Sequence, residues 1–199
     1  MLCLDPGRRT QVTNTDTMSS MTPESILSFW FEEIDPKSWW KKDLAFDEVV
    51  RVRFLDSHTA AMRGEFFSWR HDARGRLAEI LVLDQFSRNM FRDTAAAFSS
   101  DPLALVLAQE AIGHGVLDQL TASEASFMLM PIMHSESLRV HEAYACFFTL
   151  PGLSGTLDYE NKHVDILKRF GRYPHRNALL GRASTDDEVA FLRGPRSSF

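Results

Sequence analysis

Apolar residues recur at helical spacing along most of the chain. Two long runs of this kind are "LAFDEVVRVRFLDSHTAAMRG" (44–64), which ends at a glycine typical of a helix stop, and "DARGRLAEILVLDQFSRNMFR" (72–92). Shorter runs follow at 101–115, 121–131, 135–150, 159–171 and 185–192, and "MTPESILSFWF" begins the series. We find no stretch that alternates apolar and polar residues between hairpin turns. The pattern predicts an all-α protein with about eight helices.

Capping residues place several helix starts. Thr22 precedes a proline, which is favoured at the first helical position. Thr121 and Thr185 are each followed three residues later by a glutamate, the pattern of a capping box. Asp101 is predicted to cap the helix that begins there.

The periodic pattern divides the chain into one domain and two tails. Residues 1–20 are polar, rich in Thr and Ser, and without periodicity, so we expect a disordered N-terminal extension. Residues 21–194 form a single helical domain in this interpretation, and residues 195–199 a C-terminal tail. A chain of 199 residues is long enough to bury one self-sufficient core.

Composition excludes several classes of partner. A net charge of −5 argues against nucleic acid, because phosphate binding needs a basic face. No apolar run approaches the length of a membrane span, so no membrane partner is expected. Two cysteines imply no disulfide framework, and the chain starts without an apolar segment after a basic region. We therefore expect a cytoplasmic protein.

The helix predicted at 74–92 places charge on its apolar face. Asp84 and Arg88 lie one turn apart on that face, and Asn89 belongs to a neighbouring polar stripe. One interpretation is a structural ion pair that ties helices together. The other is that Asp84 holds Arg88 so that its guanidinium faces a ligand.

A second group of polar residues lies around "PIMHSESLRVHE", residues 131–142. Pro131 is predicted to end one helix and Ser135 to cap the next, with Glu136 in its first turn. His134 would then lie beside a helix N-terminus, which favours an anion. His163 falls on the apolar side of the helix at 160–170, either as a satisfied core residue or as part of a pocket.

The connector "FGRYPHRNALLGR" gathers cationic and turn-forming residues. Gly171 is predicted to end one helix and Pro174 to help start the next, and around that junction lie Arg172, His175, Arg176, Asn177 and Arg182. Cations near a helix C-terminus complement its carbonyl groups, but that role does not need five such residues. Arginines grouped at a helix junction are suited to a carboxylate or a phosphate.

Four segments together resemble the DUF924 family, bacterial proteins of about this length. They are "FWFEEIDPKSWWKKDLAFDEVVRVRF", "LAEILVLDQFSRNMFR", "FMLMPIMHSESL" and "ILKRFGRYPHRNALLGRASTDDEVAFL", which span about residues 23–193. The chain departs from the family pattern at Ser87, where the usual motif has proline, so we expect a softer local bend. The resemblance implies a tetratricopeptide-like, right-handed array of antiparallel helix hairpins. It implies no substrate and no catalytic residue.

In such an array, inward polar groups from different helices can meet on one concave face. We therefore expect one pocket that binds a small anionic molecule or a peptide carboxylate, without a cofactor or a metal. Its predicted residues are Asp84, Arg88, Asn89, His134, Ser135, Glu136, His163, Arg172, His175, Arg176 and Asn177.

Three alternatives remain open at the level of sequence. An enzyme could use the His, Glu and Arg groups for acid–base chemistry, although no nucleophile elbow, Walker loop, Rossmann glycine pattern or HExxH motif is present. A metal site could use His134 and Glu136 with His163 and His175, although nearby arginines would repel a cation. A purely structural protein would consume every charged group in internal ion pairs.

Overall fold

The computed structural model describes residues 21–194, which contain α-helices, shorter 3₁₀ and π turns, and no β-strand. The α-helices are α1 (Pro23–Ser28), α2 (Leu44–Met62), α3 (Ala73–Leu81), α4 (Ser87–Met90), α5 (Asp101–Gly113), α6 (Ala122–Met133), α7 (Leu138–Tyr144), α8 (Ser154–Phe170) and α9 (Asp186–Leu192). A π turn at Val82–Phe86 joins α3 to α4 without a break, so these two form one helix and the described part of the chain has eight. The all-α, single-domain prediction is confirmed.

The structure does not test two of the predictions, which concern the chain ends and the arrangement of the helices. The tails at 1–20 and 195–199 lie outside the described residues. The tetratricopeptide-like geometry is compatible with the helical order but stays a prediction. Within 21–194, no helix is long and apolar enough to cross a membrane.

The capping boxes predicted at Thr121 and Thr185 are present, and Thr22, predicted as a helix cap, forms a third box with Ser25 that was not predicted. In each, the threonine side chain accepts a hydrogen bond from the backbone N–H three residues on, and the side chain at that position bonds back to the cap. Each pair satisfies two N–H groups that a helix start would otherwise leave without a partner. Thr121 and Thr185 thereby set where α6 and α9 begin.

The prediction for the loop between α6 and α7 is wrong in two details. Pro131 does not end α6, which continues through it to Met133. Ser135 does not cap α7; Ser137 occupies that position, and Ser135 Oγ accepts a hydrogen bond from the Ser137 N–H at 3.3 Å. His134 therefore lies at the end of α6, and the loop that follows it runs to the cap of α7.

Two hydrophobic clusters position the candidate site between them. The larger core includes the fully buried aromatic rings of Trp30, Phe86 and Phe127. The smaller cluster is built around Leu167 of α8 and Tyr173 of the α8–α9 connector. The Tyr173 hydroxyl donates to the Met133 carbonyl at 2.7 Å, so the connector is fixed against the end of α6.

We predict that Gly75→Ala destabilises the protein by about 2 kcal/mol. A Cβ at Gly75 would lie 2.0 Å from the backbone oxygen of Trp69, so α3 or the turn before it would have to move. Gly113, the last residue of α5, is the control, because a Cβ there meets nothing within 4 Å. Urea denaturation of both variants checks this, and equal stability would show that the turn yields freely.

Candidate functional site

Asp84 is a fully buried carboxylate on the π turn between α3 and α4. Its Oδ1 accepts a hydrogen bond from His134 Nδ1 at 2.8 Å, and its Oδ2 accepts one from Gln85 Nε2 at 2.6 Å. Arg88 Nη1 lies 3.2 Å from the same Oδ1. Burial alone would raise the pKa of the Asp84 carboxyl, but Arg88 and His134 hold it well below its usual range. Asp84 is therefore a carboxylate at neutral pH.

Two arginines from distant parts of the chain converge on Asp101, the first residue of α5. Arg88 donates to both Asp101 oxygens, at 3.0 and 3.1 Å. Arg176 donates from Nη1 to Asp101 Oδ2 at 3.0 Å and from Nη2 to the His134 carbonyl at 3.1 Å. We call Asp84, Arg88, Asp101, His134 and Arg176 the Asp101 cluster.

Aromatic rings enclose the Arg176 guanidinium. Its Cζ lies 4.6 Å from the centre of the Phe98 ring and 5.0 Å from that of Tyr173. The Arg176 side chain is only 7% exposed, and its Nε has no hydrogen-bond partner among the described residues. Burial, and then the neighbouring Arg88, lower the pKa of Arg176 from its usual value. The positive charge of Arg176 is thus enclosed by aromatic rings, and its Nε–H is a donor without an acceptor among the described residues.

His134 keeps one ring nitrogen available. Its Nδ1 bonds to Asp84, while its Nε2 makes no hydrogen bond with the described residues. Burial, and then Arg88, lower the pKa of His134, whereas Asp84 opposes that change. The side chains of Arg88, Asp101 and His134 are between 16% and 20% exposed, so the Asp101 cluster reaches solvent.

Most of the other predicted site residues have structural partners. Glu136 binds Arg182 through both oxygens, at 2.6 and 2.9 Å, and accepts the Tyr173 N–H at 2.6 Å. Arg172 donates to both Glu188 oxygens, at 2.7 and 2.8 Å. These two ion pairs brace the connector and account for part of its positive charge.

Two residues of the predicted pocket make their side-chain hydrogen bonds outside the Asp101 cluster. Asn89 is directed toward α2, where its Nδ2 donates to Asp47 at 2.8 Å beside Arg92. Asn177 is buried, and its Nδ2 donates to Ser184 at 3.1 Å. Like Arg172, these two side chains have no hydrogen bond or ion pair with the Asp101 cluster among those that the described residues form.

Two of the three predicted histidines, His163 and His175, lie against Tyr173. His163 meets the Tyr173 ring edge-on at 5.4 Å, and its Nδ1 donates to the Tyr159 carbonyl. His175 stacks on Tyr173 at 5.7 Å. Burial lowers the pKa of His163 to about 3 and that of His175 to about 4, so both are neutral at pH 7.

Sequence reasoning assigned no ligand role to three residues that shape the site. Asp101 has the pattern of a helix cap, yet its carboxylate reaches across to two arginines instead. Phe98 and Tyr173 resemble ordinary core aromatics in the sequence, and only the fold places them on Arg176. No local spacing could have identified these contacts.

A separate cavity of about 250 Å³ lies beside α9. It is lined by Arg169, Phe170, Arg172, Thr185, Asp187 and Glu188, none of which belongs to the Asp101 cluster. Of its two arginines, Arg172 is already paired with Glu188. Among the described residues, no group of His, Cys, Asp and Glu is arranged to hold a metal ion.

Comparisons with known proteins agree with the predicted resemblance. A family described as "Bacterial protein of unknown function (DUF924)" matches residues 26–196. The chain belongs to the DUF924 family. A solved structure, that of the protein of unknown function ATU0120 from Agrobacterium tumefaciens, is 39% identical with a TM-score of 0.81. The match covers 86% of this chain and 97% of that one. No curated protein matches this chain.

Proposed function

We propose that this DUF924 protein binds a small anion, a carboxylate or a phosphate, at the Asp101 cluster. The carboxylate of a peptide terminus has the same chemistry and is included. Arg88 and Arg176 are the binding groups, and His134 lies beside them. The observation that supports this most directly is the number of arginine donors that have no acceptor among residues 21–194.

Each guanidinium has five N–H donors. Arg88 uses three, one to the Asp84 carbonyl and two to Asp101. Arg176 uses two, one to Asp101 and one to the His134 carbonyl. Of ten donors, five therefore have no partner in the described part of the chain, and one of them is the buried Nε of Arg176. A planar or tetrahedral oxyanion can accept several of these at once.

The charge of the Asp101 cluster is balanced, which limits how an anion can be held. Two carboxylates, Asp84 and Asp101, face two guanidinium groups, and His134 is neutral. An incoming anion therefore gains little from net charge and must be recognised by directed hydrogen bonds. We expect selectivity for oxyanion shape rather than general attraction to negative charge.

Arg176→Lys is expected to weaken binding of acetate or inorganic phosphate by about tenfold or more. Lysine keeps the positive charge but replaces a rigid fork of donors with a single ammonium. Isothermal titration calorimetry on the wild type and the variant measures the change directly.

Arg172→Lys is the matched control for that experiment. It changes an arginine of the same connector whose donors already bind Glu188. We expect it to leave the dissociation constant unchanged. The proposal fails if neither anion binds the wild type, or if the two variants bind equally well.

An enzymatic role is the second candidate, and the Asp84–His134 pair favours it. A buried carboxylate that orients a neutral imidazole is an arrangement used in general base catalysis. Proton and phosphorus NMR of the protein with a bound ligand would detect any chemical change. A ligand that binds and stays unchanged would argue for binding alone.

Two finer expectations belong to the same proposal. The exposed free thiol of Cys146 fits a reducing compartment such as the cytoplasm. A tetratricopeptide-like arrangement of the helices would place the Asp101 cluster on a concave surface. Fractionation of native host cells would test the location. The angles between neighbouring helices in an experimental structure would test the tetratricopeptide-like arrangement.

A further inference from the structure

The hydrogen bonds of Asp84 fix which nitrogen of His134 carries the proton. A carboxylate that accepts from Gln85 and pairs with Arg88 has no proton to donate. The Nδ1 of His134 must therefore be the donor in its 2.8 Å bond to Asp84. In a neutral imidazole this leaves a lone pair on Nε2, which can only accept.

The residue that carries this acceptor lies beside the two arginines. His134 Nδ1 and Arg88 Nη1 both reach the same oxygen of Asp84, at 2.8 and 3.2 Å. Arg176 donates to the backbone carbonyl of His134 itself. His134, Arg88 and Arg176 thus belong to one connected set of contacts.

We infer that the ligand carries a hydroxyl donor on its anionic group or directly next to it. The oxyanion would accept from Arg88 and Arg176, and the hydroxyl would donate to His134 Nε2. Protonated phosphates and hydroxy acids have this chemistry. This inference rests on the proposed function and narrows its ligand class.

We expect the site to favour ligands with the hydroxyl over ligands without it, because an acceptor that is covered and left without a donor costs free energy. A ligand without the hydroxyl would cover His134 Nε2 and give it no partner in place of water. Sites that bind a substrate hydroxyl reject analogues that lack it far more strongly than apolar pockets reject a missing methylene. Phosphate and sulfate make a matched pair, since both are tetrahedral oxyanions and only phosphate carries an O–H at pH 7.

The experiment compares two ligand pairs by titration calorimetry at pH 7. One pair is inorganic phosphate and sulfate, and the other is lactate and 2-methoxypropionate. We expect the hydroxyl-bearing member of at least one pair to bind about tenfold more tightly or better. Preference in the first pair places the hydroxyl on the anionic group, and preference in the second places it on the neighbouring carbon.

His134→Asn tests the acceptor itself. The Asn amide can still donate to Asp84 from the position of Nδ1, but it has no atom at the position of Nε2. We expect this variant to bind both members of a pair equally. Nitrogen NMR of wild-type His134 gives a readout that does not depend on a variant: the Nε2 resonance should move with the preferred ligand and not with its analogue.

The outcomes separate this inference from the proposed function. Equal binding within both pairs, together with weaker binding by Arg176→Lys, would overturn the hydroxyl inference and leave the anion site standing. A preference that survives in His134→Asn would overturn it as well. If none of the four probes binds the wild-type protein, both proposals fail.

Discussion

Arg88→Ala is expected to lower the free energy of unfolding by about 3–5 kcal/mol. The substitution leaves the Asp84 carboxylate buried without its cation, and Asp101 keeps only Arg176. Removing one partner of a buried ion pair costs more than the pair contributes, because the remaining charge cannot return to water. Equilibrium unfolding in urea at pH 7 measures the change.

Arg51→Ala is the matched control for this prediction. Arg51 also pairs with a carboxylate on its own helix, Glu48, at 2.5 Å, but both side chains are about half exposed. Solvent replaces the lost partner there, so we expect no measurable change in stability. If Arg88→Ala were as mild as Arg51→Ala, Asp84 and Arg88 would not be buried together.

The helix starts at Thr22, Thr121 and Thr185 are predictable because their chemistry is local. Every atom of a capping box lies within four residues, so the sequence contains the whole interaction. The placement of Asp84 and Arg88 on an apolar helix face is predictable for the same reason. One turn of helix brings the two together whatever the rest of the chain does.

Pro131 shows where a local rule fails. Proline removes one backbone hydrogen bond, which is usually reason enough for a helix to end. Here α6 is buried on nearly every side between Phe127 and Met133, and it has only two residues left after Pro131. Tertiary packing therefore outweighs one missing bond, and the next helix is capped by Ser137 rather than by Ser135 as predicted.

Asp101 shows why the candidate site could not be completed from sequence. An aspartate before a proline at a helix start has every mark of a cap. Its carboxylate instead joins Arg88, 13 residues away, to Arg176, 75 residues away. Such a contact depends on how α4, α5 and the α8–α9 connector pack together, and no spacing within any one of them encodes it.

Acidification from pH 7 to pH 5 is expected to lower the free energy of unfolding by about 4 kcal/mol. Burial lowers the pKa of His163 to about 3 and that of His175 to about 4, against an ordinary value of 6.5. Between pH 6.5 and pH 4 the unfolded chain therefore binds protons at these positions and the folded chain does not. Each histidine contributes about 2 kcal/mol to the loss at pH 5.

Other groups should not hide this effect. Burial also lowers the pKa of His58 and His134, so their contributions have the same sign. The carboxylates that the fold holds ionised, such as Glu188 with a pKa lowered to about 2 by Arg172, lose their contribution mainly below pH 5. A fall in stability that begins near pH 6.5 is thus specific to the buried histidines.

His163→Asn isolates one of them. The Asn amide can keep the hydrogen bond that His163 Nδ1 donates to the Tyr159 carbonyl, and it does not titrate. We expect the loss between pH 7 and pH 5 to shrink by about 2 kcal/mol, while His71→Gln, at a side chain that is 75% exposed, leaves it unchanged. Urea denaturation of the wild type and of both variants at pH 7, 6 and 5 measures how steeply the free energy of unfolding falls with pH in each protein. A wild-type loss below about 1 kcal/mol would mean that protons reach these imidazoles in the folded protein, and that the interface between the connector and α8 opens to water at mildly acidic pH.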